Sequence, residues 1–187
     1  MEGKGVHLTC QACGKKWEMD EYGQLSALDG ETEYAHIPDW YTWQRQCVRQ
    51  ELEEGTYLLD VDVDIAVQVN LDGVCKIGGG HLRHDSNGFL LTGADGKLNY
   101  EQSPVFSHTL YADYYWYEIG DVIGIGNNEF SYFCFPKENV SVTKARLATE
   151  ELYKMKKVRR KAVGAVSPKE QTVSASDNGN EYKENAM

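Results

Sequence analysis

A period of two in the hydrophobic pattern marks the most regular segment of the chain, residues 60–69. Every odd position in this segment is aliphatic, from Val61 to Val69, and the even positions are polar except Ala66. Successive side chains of a strand point to opposite faces of its sheet, so this alternation predicts a β-strand with one buried face.

Three aspartates, Asp60, Asp62 and Asp64, lie on the polar face of that strand. They are spaced like the start of an EF-hand loop, but Ile65 occupies the position that needs glycine and Leu71 the position that needs glutamate, so no calcium site is predicted. We interpret them as a solvated face that also protects the strand from edge pairing.

Turn signals divide the following region into shorter strands. The sequence Asp85-Ser86-Asn87-Gly88 predicts a hairpin between strands at residues 81–84 and 89–92. Residues 94–97 predict the next turn, and the three glycines at 78–80 are predicted to break a strand. Further strands are predicted at residues 105–117, 121–125 and 130–135.

Two segments show the 3.6-residue period of an amphipathic helix. The first begins at Pro38, whose missing N–H is not needed in a first turn, and ends before Gly55. The second spans residues 142–157. Beyond Ala162 the composition becomes polar without any period, which predicts a disordered tail over residues 162–187.

These elements predict an α+β protein that is mainly β. Residues 1–33 are predicted to form a zinc-ribbon-like hairpin unit, residues 34–54 a connecting helix, and residues 55–161 the main domain. Antiparallel strands followed by one helix are typical of a PH- or GRAM-like barrel or bent sheet, with the helix capping its open end. The alternative is a β-sandwich with an added helix. The side chains predicted to fill the open end are Leu147, Leu152 and Met155.

Charge and hydropathy narrow the functional class. The 187 residues carry a formal net charge of −10, which argues against a general nucleic-acid binder because such a protein presents a basic face. No segment approaches the roughly 18–20 apolar residues of a membrane span, and the N-terminal residues lack the apolar core of a signal peptide. Five scattered cysteines do not form a disulfide framework. We therefore predict a cytoplasmic protein with reduced thiols.

The motif Cys10-Gln11-Ala12-Cys13-Gly14 is the strongest candidate for chemistry. In a zinc knuckle two thiolates face one ion, and the glycine after them supplies a tight turn. Structural zinc takes four N or S ligands, so Cys10 and Cys13 provide half of a site. The remaining ligands come either from His7, His36 or Cys47, or from the first half of a ribbon that precedes this chain, and we favour the second interpretation. A thioredoxin-like redox role fits less well, because the motif does not open a helix in a βαβ unit.

The densest aromatic cluster lies in residues 111–117. A strand must divide these side chains between its two faces, and we predict that core packing is the role of most of them. Any that are exposed would suit a ligand, a partner or a membrane interface, where amphipathic rings are favoured. His81 and His84 flank a turn and are predicted to form a surface pair. The glycines at 120, 124 and 126 lack the lysine of a P-loop and are interpreted as strand glycines at a bulge or bend.

Three segments of the sequence resemble segments of one protein family. Residues 36–45 read HIPDWYTWQR, residues 115–121 YWYEIGD and residues 148–153 ATEELY. They are similar to the C-terminal region of bacterial 1-acyl-glycerol-3-phosphate acyltransferases, in which a zinc-ribbon-like segment and a β-rich extension follow the acyltransferase domain. The resemblance covers about residues 5–160. It implies an accessory part of a lipid-acylating enzyme, with the catalytic domain and its His-x4-Asp signature upstream of Met1.

One His-x4-Asp match does occur in this chain, at His108 and Asp113. The pair falls within the strand predicted at residues 105–117. Residues five apart on a strand point to opposite faces, so Asp113 could not orient His108 as a general base. We therefore predict no acyltransferase site here.

Three functions follow, in order of preference. The first is a non-catalytic accessory module that positions an acyltransferase domain, or another partner protein, near lipid. The second is a stand-alone protein-binding domain that uses the aromatic strand 111–117, and the third is an enzyme with an unrecognised site. A basic run would allow peripheral contact with anionic lipid at the inner face of the membrane. It comprises Lys154, Lys156, Lys157, Arg159, Arg160 and Lys161.

Overall fold

Two antiparallel sheets and two helices make up the protein in the computed structural model, which describes residues 2–70, 73–127 and 129–164. The side chains of Asn70 and of residues 159–164 lie outside that description, as do residues 165–187, which contain most of the predicted disordered tail. The prediction of a mainly β protein is confirmed.

A small N-terminal sheet contains four strands in sequential order. Trp17 and Leu25 are its buried side chains. The Trp17 ring meets that of Trp40 edge-to-face, with the ring centroids 5.0 Å apart, so an aromatic contact ties this sheet to the following helix. The strands are β1 (Glu2–Lys4), β2 (His7–Thr9), β3 (Lys16–Met19) and β4 (Leu25–Ala27).

The first helix, α1, spans Ile37–Glu54 as predicted from its sequence signals. Pro38 lies in the first turn, where a residue without an N–H is tolerated. Gly55 ends the helix in the left-handed conformation, with φ of 72°, and its N–H is directed at the carbonyl groups of Glu51 and Leu52. Both boundaries therefore have a local chemical cause.

The second sheet contains seven strands. Its first four strands form one meander and its last three another, and the last strand returns to pair with the first, giving the order β8-β7-β6-β5-β11-β10-β9. The strands are β5 (Leu59–Asn70), β6 (Gly73–Asp85), β7 (Gly88–Gly93), β8 (Leu98–Gln102), β9 (Tyr111–Trp116), β10 (Gly120–Gly126) and β11 (Ser131–Pro136).

Strand β5 is central, because it pairs with β6 on one side and β11 on the other. The prediction that its three aspartates form a solvated face is confirmed. The prediction that they protect a sheet edge is wrong, since β5 has no free edge. The opposite face of β5 belongs to the core, where Val61, Val63 and Ile65 are buried.

The glycines at 78–80 do not break a strand, contrary to prediction. They lie within the continuous strand β6, where the pairing with β5 shifts register between Ile65 and Ala66. A Cβ on Gly80 would lie 2.4 Å from Ile65 Cδ1 and 2.3 Å from the Thr92 carbonyl oxygen, so glycine is needed for close packing rather than for a turn. The glycines of β10 behave as predicted, with a register shift between Gly120 and Val122.

Two boundaries after β7 also differ from prediction. Strand β8 was not predicted, and the strand predicted at residues 105–117 begins only at Tyr111. Ser103 causes part of this difference, because its carbonyl accepts the N–H of Phe106 at 2.9 Å and so turns the chain after β8. The buried Gln102 then accepts the Gly126 N–H at 3.1 Å, which links β8 to β10 at one end of the sheet.

The C-terminal helix, α2, spans Val142–Gly164 and joins two cores. Val142 and Ala145 pack in the core of the seven-stranded sheet. Leu147 and Leu152 are buried as predicted, but they pack in a second cluster with α1 instead of filling an open end of the sheet. The reason is that α1 lies against α2 and covers the apolar side that the sheet leaves free.

None of the described helices is long and apolar enough to cross a membrane.

Candidate functional sites

The Cys10–Gly14 segment joins β2 to β3 through a tight loop. The Gly14 N–H donates to the Cys10 carbonyl at 2.8 Å, and the Cys10 N–H donates to the Lys15 carbonyl at 2.8 Å. Gly14 has a φ of 74°, which a residue with a side chain rarely adopts. The motif therefore forms a compact turn.

The thiols of Cys10 and Cys13 lie close together in this loop, and they differ in solvent exposure. Hydrogen bonds from the backbone N–H and the thiol of Cys13, followed by the N–H of Ala12, lower the pKa of Cys10. Cys10 is half-buried and Cys13 is exposed. Because the thiolate is the form that binds a metal, Cys10 is suited to a zinc ligand. In the described part of the chain no group of three or more His, Cys, Asp or Glu that could hold a metal ion is found, and His7, His36 and Cys47 do not form one with the pair.

Five aromatic side chains form a cluster on the solvent side of the seven-stranded sheet. Phe133 and Phe135 alternate along β11 with the buried Tyr132 and Cys134, so they lie on the face opposite the core. The Trp116 ring stacks on that of Phe133 with centroids 4.8 Å apart and planes 15° apart. The outer aromatic cluster comprises Tyr111, Trp116, Tyr117, Phe133 and Phe135.

The turn between β9 and β10 extends this surface towards solvent. Tyr115 is 73% exposed and Tyr117 79% exposed, and Ile119 is also exposed. The prediction that most aromatic residues at 111–117 pack in the core is therefore wrong. The reason is that β9 is an edge strand and that the chain folds back after it, so that Trp116 covers Phe133 while the tyrosine rings stay outside.

The same turn holds three residues in the left-handed region of the backbone. The φ angles are 53° for Tyr115, 46° for Tyr117 and 60° for Glu118. Each such residue costs about 1–3 kcal/mol when it is not glycine, and such residues concentrate at ligand-binding segments. Two backbone hydrogen bonds hold the turn, from Glu118 N–H to Tyr115 C=O at 3.0 Å and from Ile119 N–H to Trp116 C=O at 2.9 Å.

A groove of about 880 Å³ runs between this turn and the solvent face of β5, β6 and β11. Asp64 lies in it between two lysines, at 3.0 Å from Lys76 Nζ and 3.4 Å from Lys137 Nζ. The hydrogen bond from Lys76 lowers the pKa of Asp64, so the carboxylate is ionised at neutral pH. The apolar lining consists mainly of Val74, Trp116, Ile119 and Phe135.

A second groove of about 570 Å³ lies on the other side of Trp116 and Tyr117. Phe106, Leu110 and Tyr111 line it. The two rings therefore separate two concave surfaces. Among the described residues that line them, charged side chains occur in the groove with Asp64 and not in the other.

His84 differs from the prediction of a surface histidine. It is 1% exposed, stacks on Phe89 with ring centroids 3.7 Å apart, and its Nδ1 lies 3.0 Å from the Tyr57 hydroxyl. Burial lowers the pKa of His84 to about 3, and burial raises the pKa of Tyr57. His84 shares its strand face with the buried Leu82, and this alternation is the signal that could have identified it.

His81 is exposed, as predicted, because it lies on the opposite face of β6. Its Nδ1 lies 2.9 Å from an Asp62 oxygen, and its Nε2 contacts Asp60. The hydrogen bonds to Asp62 and then Asp60 raise the pKa of His81. Both ring nitrogens face carboxylates of the same sheet. The protonated imidazole therefore offsets the negative charge of the two aspartates.

An ion network joins α1 to α2. Arg45 contacts Glu150 at 2.6 Å and Glu151 at 3.0 Å, and Lys154 contacts Glu151 at 2.7 Å. Burial raises the pKa of Glu151, but hydrogen bonds from Lys154 and Arg45 outweigh this and lower it. Two of the three strings behind the family resemblance, residues 36–45 and 148–153, therefore meet in this network, whereas the third forms the aromatic turn.

His108 and Asp113 have separate partners. His108 precedes β9 instead of lying on it, so the assumption of a common strand is wrong. Its ring meets that of Tyr153 edge-to-face at 6.2 Å, while Asp113 Oδ1 accepts the Tyr114 N–H at 2.8 Å. No hydrogen bond joins the two among the described residues, and the geometry offers no oriented general base.

Part of the basic run on α2 is engaged within the helix. Lys154 is bound to Glu151, and Lys157 donates to the Tyr153 hydroxyl at 2.9 Å. Lys156 is half-buried. The side chains of Arg159, Arg160 and Lys161 lie outside the described residues.

Comparison with known proteins identifies no family: no family model matches the chain, and neither the curated proteins nor the solved structures include a significant match.

Proposed function

We propose that this chain is a non-catalytic binding module whose contact surface is the outer aromatic cluster together with the turn at residues 115–119. The exposure of Tyr115 and Tyr117 on a backbone in the left-handed region carries the proposal. Amphipathic rings held outside the core at an energetic cost are typical of a recognition surface. Each member of the His108–Asp113 pair is engaged elsewhere, which favours binding over catalysis.

The finer fold in this proposal is a PH- or GRAM-like barrel or bent sheet. A four-stranded meander, a three-stranded meander, pairing between the first and last strands and a C-terminal helix support it. For the N-terminal sheet we propose a zinc-ribbon-like fold, which the Cys10–Gly14 loop supports. Fold alone does not determine function, so the aromatic surface carries the functional proposal.

We further propose that the module is accessory to a phospholipid-synthesis acyltransferase and positions that enzyme in the cytoplasm, at the inner face of the membrane. The three strings that resemble the C-terminal extension of such enzymes support this role. Peripheral lipid contact through the basic run of α2 belongs to the same proposal. The alternative is a stand-alone protein-binding domain, which the exposed tyrosines of β9 and its turn also favour.

Calorimetric titration of a bacterial 1-acyl-glycerol-3-phosphate acyltransferase domain with this chain tests the accessory role. We expect binding that the double variant Tyr115→Asn/Tyr117→Asn abolishes, because asparagine accepts the left-handed backbone while removing the ring. Tyr22→Asn is the matched control, since Tyr22 is 86% exposed in the turn between β3 and β4. Absence of binding, or equal binding by both variants, would refute the role. No acyl transfer to lysophosphatidic acid is expected from the chain alone.

We also propose that Cys10 and Cys13 bind zinc. Two thiolates leave a tetrahedral ion incompletely ligated, so the purified chain should hold at most one zinc, and a chelator should remove it readily. Elemental analysis before and after dialysis against a chelator measures this, with Cys47→Ser as the control for non-specific thiol binding. A stoichiometric ion that resists the chelator would mean that other ligands complete the site.

A further inference from the structure

We propose that the groove between the aromatic turn and strands β5, β6 and β11 binds a single-chain anionic amphiphile. Its apolar body would lie against Trp116, Ile119 and Phe135, and its anionic head would lie between Lys76 and Lys137. This inference rests on the proposed role of the aromatic surface as a binding surface, and it names the class of ligand.

The size and lining of the groove match a small molecule with an apolar body. Ligand sites in proteins typically enclose about 300–1,000 Å³ and combine apolar walls with a few charged groups. The groove encloses about 880 Å³, and its apolar walls come from Val74, Trp116, Ile119 and Phe135. Ile119 and Val74 are exposed, so burial under a hydrocarbon chain would remove apolar surface from water.

The charged groups of the groove are adjacent to its aromatic row. Asp64 pairs across the ladder with Phe135, and Lys76 lies opposite Ala66, the partner of Phe133. Directly opposed residues in antiparallel strands have Cβ atoms about 4.5–5.5 Å apart. A molecule whose apolar part covers Phe135 therefore brings its polar end to the lysines.

The charge balance at that end favours an anion. Two ammonium groups share a single carboxylate, Asp64, so the polar end carries a net positive charge. Each ammonium has three donors and uses only part of them on Asp64, which leaves N–H groups for a carboxylate or phosphate head. Lys76 and Lys137 are both exposed, and an entering ligand can reach them.

A monomeric amphiphile in the groove fits better than the surface of a bilayer. The groove lies on the face opposite the one on which α2 packs, and away from the basic run of that helix the formal net charge of −10 opposes approach to an anionic membrane. The groove is recessed between a turn and a sheet, a shape that receives one chain. An experiment must therefore compare a monomeric ligand with vesicles.

Calorimetric titration of the full chain with octyl phosphate below its critical micelle concentration tests the inference. Octanol, octylammonium and inorganic phosphate are the comparison probes, and phosphatidylglycerol vesicles form a separate arm. We expect octyl phosphate to bind roughly tenfold more tightly than octanol, because charge-assisted hydrogen bonds add to the apolar contact. Inorganic phosphate and octylammonium should bind more weakly than octyl phosphate.

Variants at the polar end of the groove should change the affinity for octyl phosphate in opposite directions. Lys76→Gln/Lys137→Gln should weaken octyl phosphate roughly tenfold and leave octanol unchanged. Asp64→Asn keeps the side-chain shape and releases both lysines, so it should tighten octyl phosphate roughly fivefold. Lys97→Gln, outside the groove, is the control and should bind as the natural chain does. A loss of folding cannot mimic an increase in affinity.

Three results would overturn the inference: equal affinity for octyl phosphate and octanol, no gain from Asp64→Asn, or binding to vesicles alone. If octyl phosphate fails to bind while the acyltransferase domain still binds through Tyr115 and Tyr117, the amphiphile inference fails by itself. Failure of both titrations would also remove the proposed binding role of the aromatic surface.

Discussion

The two faces of the seven-stranded sheet place the same kinds of residue in different environments. Strand β6 carries a histidine on each face: His84 is buried against Phe89 and Tyr57, whereas His81 lies in solvent between two aspartates. Strand β11 likewise places Tyr132 and Cys134 in the core and Phe133 and Phe135 outside it. The core side has α2 packed on it, with α1 packed on α2, and it accounts for stability, whereas the solvent side exposes the rings and charges for which we propose a binding role.

This difference shows why the aromatic content of a strand does not identify its core. The inner rings belong to two buried clusters that also contain aliphatic side chains, such as Val61, Leu82 and Leu147. The outer rings pack on one another, and one side of the cluster remains open as a groove. We therefore expect mutations on the two faces to separate stability from binding.

The largest expected effect is on the core side. Leu152 is 2% exposed and packs against α1, so Leu152→Ala should lower the free energy of unfolding by about 2–5 kcal/mol. Val158→Ala is the matched control, because Val158 lies on the same helix and is 67% exposed. Denaturant midpoints measure both. A neutral Leu152→Ala would mean that the α1–α2 cluster does not contribute to the cooperative core.

A smaller loss is expected at the ion network between the helices. Arg45→Met removes the guanidinium from Glu150 and the buried Glu151, and we expect a cost of about 1–3 kcal/mol, because hydrogen bonds to charged groups are lost. Lys76→Met removes an ion pair on the solvent face and should change stability by less than about 1 kcal/mol. Urea unfolding at neutral pH compares the two variants. Equal losses of unfolding free energy in Arg45→Met and Lys76→Met would contradict the claim that the solvent face contributes less to stability than the helix side.

Acid should change the contributions of His84 and His81 to the free energy of unfolding in opposite directions. Unfolding frees His84 to bind a proton near its ordinary pKa of 6.5, whereas the folded protein binds it only near pH 3, so this site lowers stability as the pH falls through that window. The cost is about 1 kcal/mol for each pH unit below roughly 6.5. His81 has a raised pKa, so its contribution is present at low pH and is lost as the pH rises through its folded value.

Between pH 7 and 5, the unfolding free energy of His84→Gln should therefore fall less with acid than that of the natural chain, and that of His81→Gln should fall more steeply. The slope is the relevant quantity, because His84→Gln also changes packing against Phe89. Identical slopes in the natural chain and in His84→Gln would show that the imidazole does not stay neutral inside the fold.

Local signals account for the elements that could be predicted from the sequence. Pro38 and Gly55 define α1, the alternation of aliphatic and polar residues defines β5, and residues 85–88 define the β6–β7 hairpin. The tight turn of Cys10–Gly14 was also predictable, because the Cys-x-x-Cys spacing and the following glycine favour it. These features depend on residues that are neighbours in the chain.

The rest depends on contacts between distant residues. The burial of His84 depends on Tyr57 and Phe89, which lie on separate elements, and Leu152 is buried by α1 rather than by the sheet. The groove needs strands β5, β6 and β11 and a turn from residues 115–119, which no local pattern brings together. The spacing of His108 and Asp113 could not show that one precedes β9 and the other lies on it.

The most direct test of the division between the faces uses one double variant and two readouts. Tyr115→Asn/Tyr117→Asn should leave the free energy of unfolding unchanged or raise it, because asparagine is better tolerated than tyrosine in the left-handed region of the backbone, and it should abolish binding of the acyltransferase domain. Tyr22→Asn should leave both quantities unchanged. A double variant that loses several kcal/mol of stability, or that still binds as the natural chain does, would contradict the claim that the outer aromatic surface serves binding and not the core.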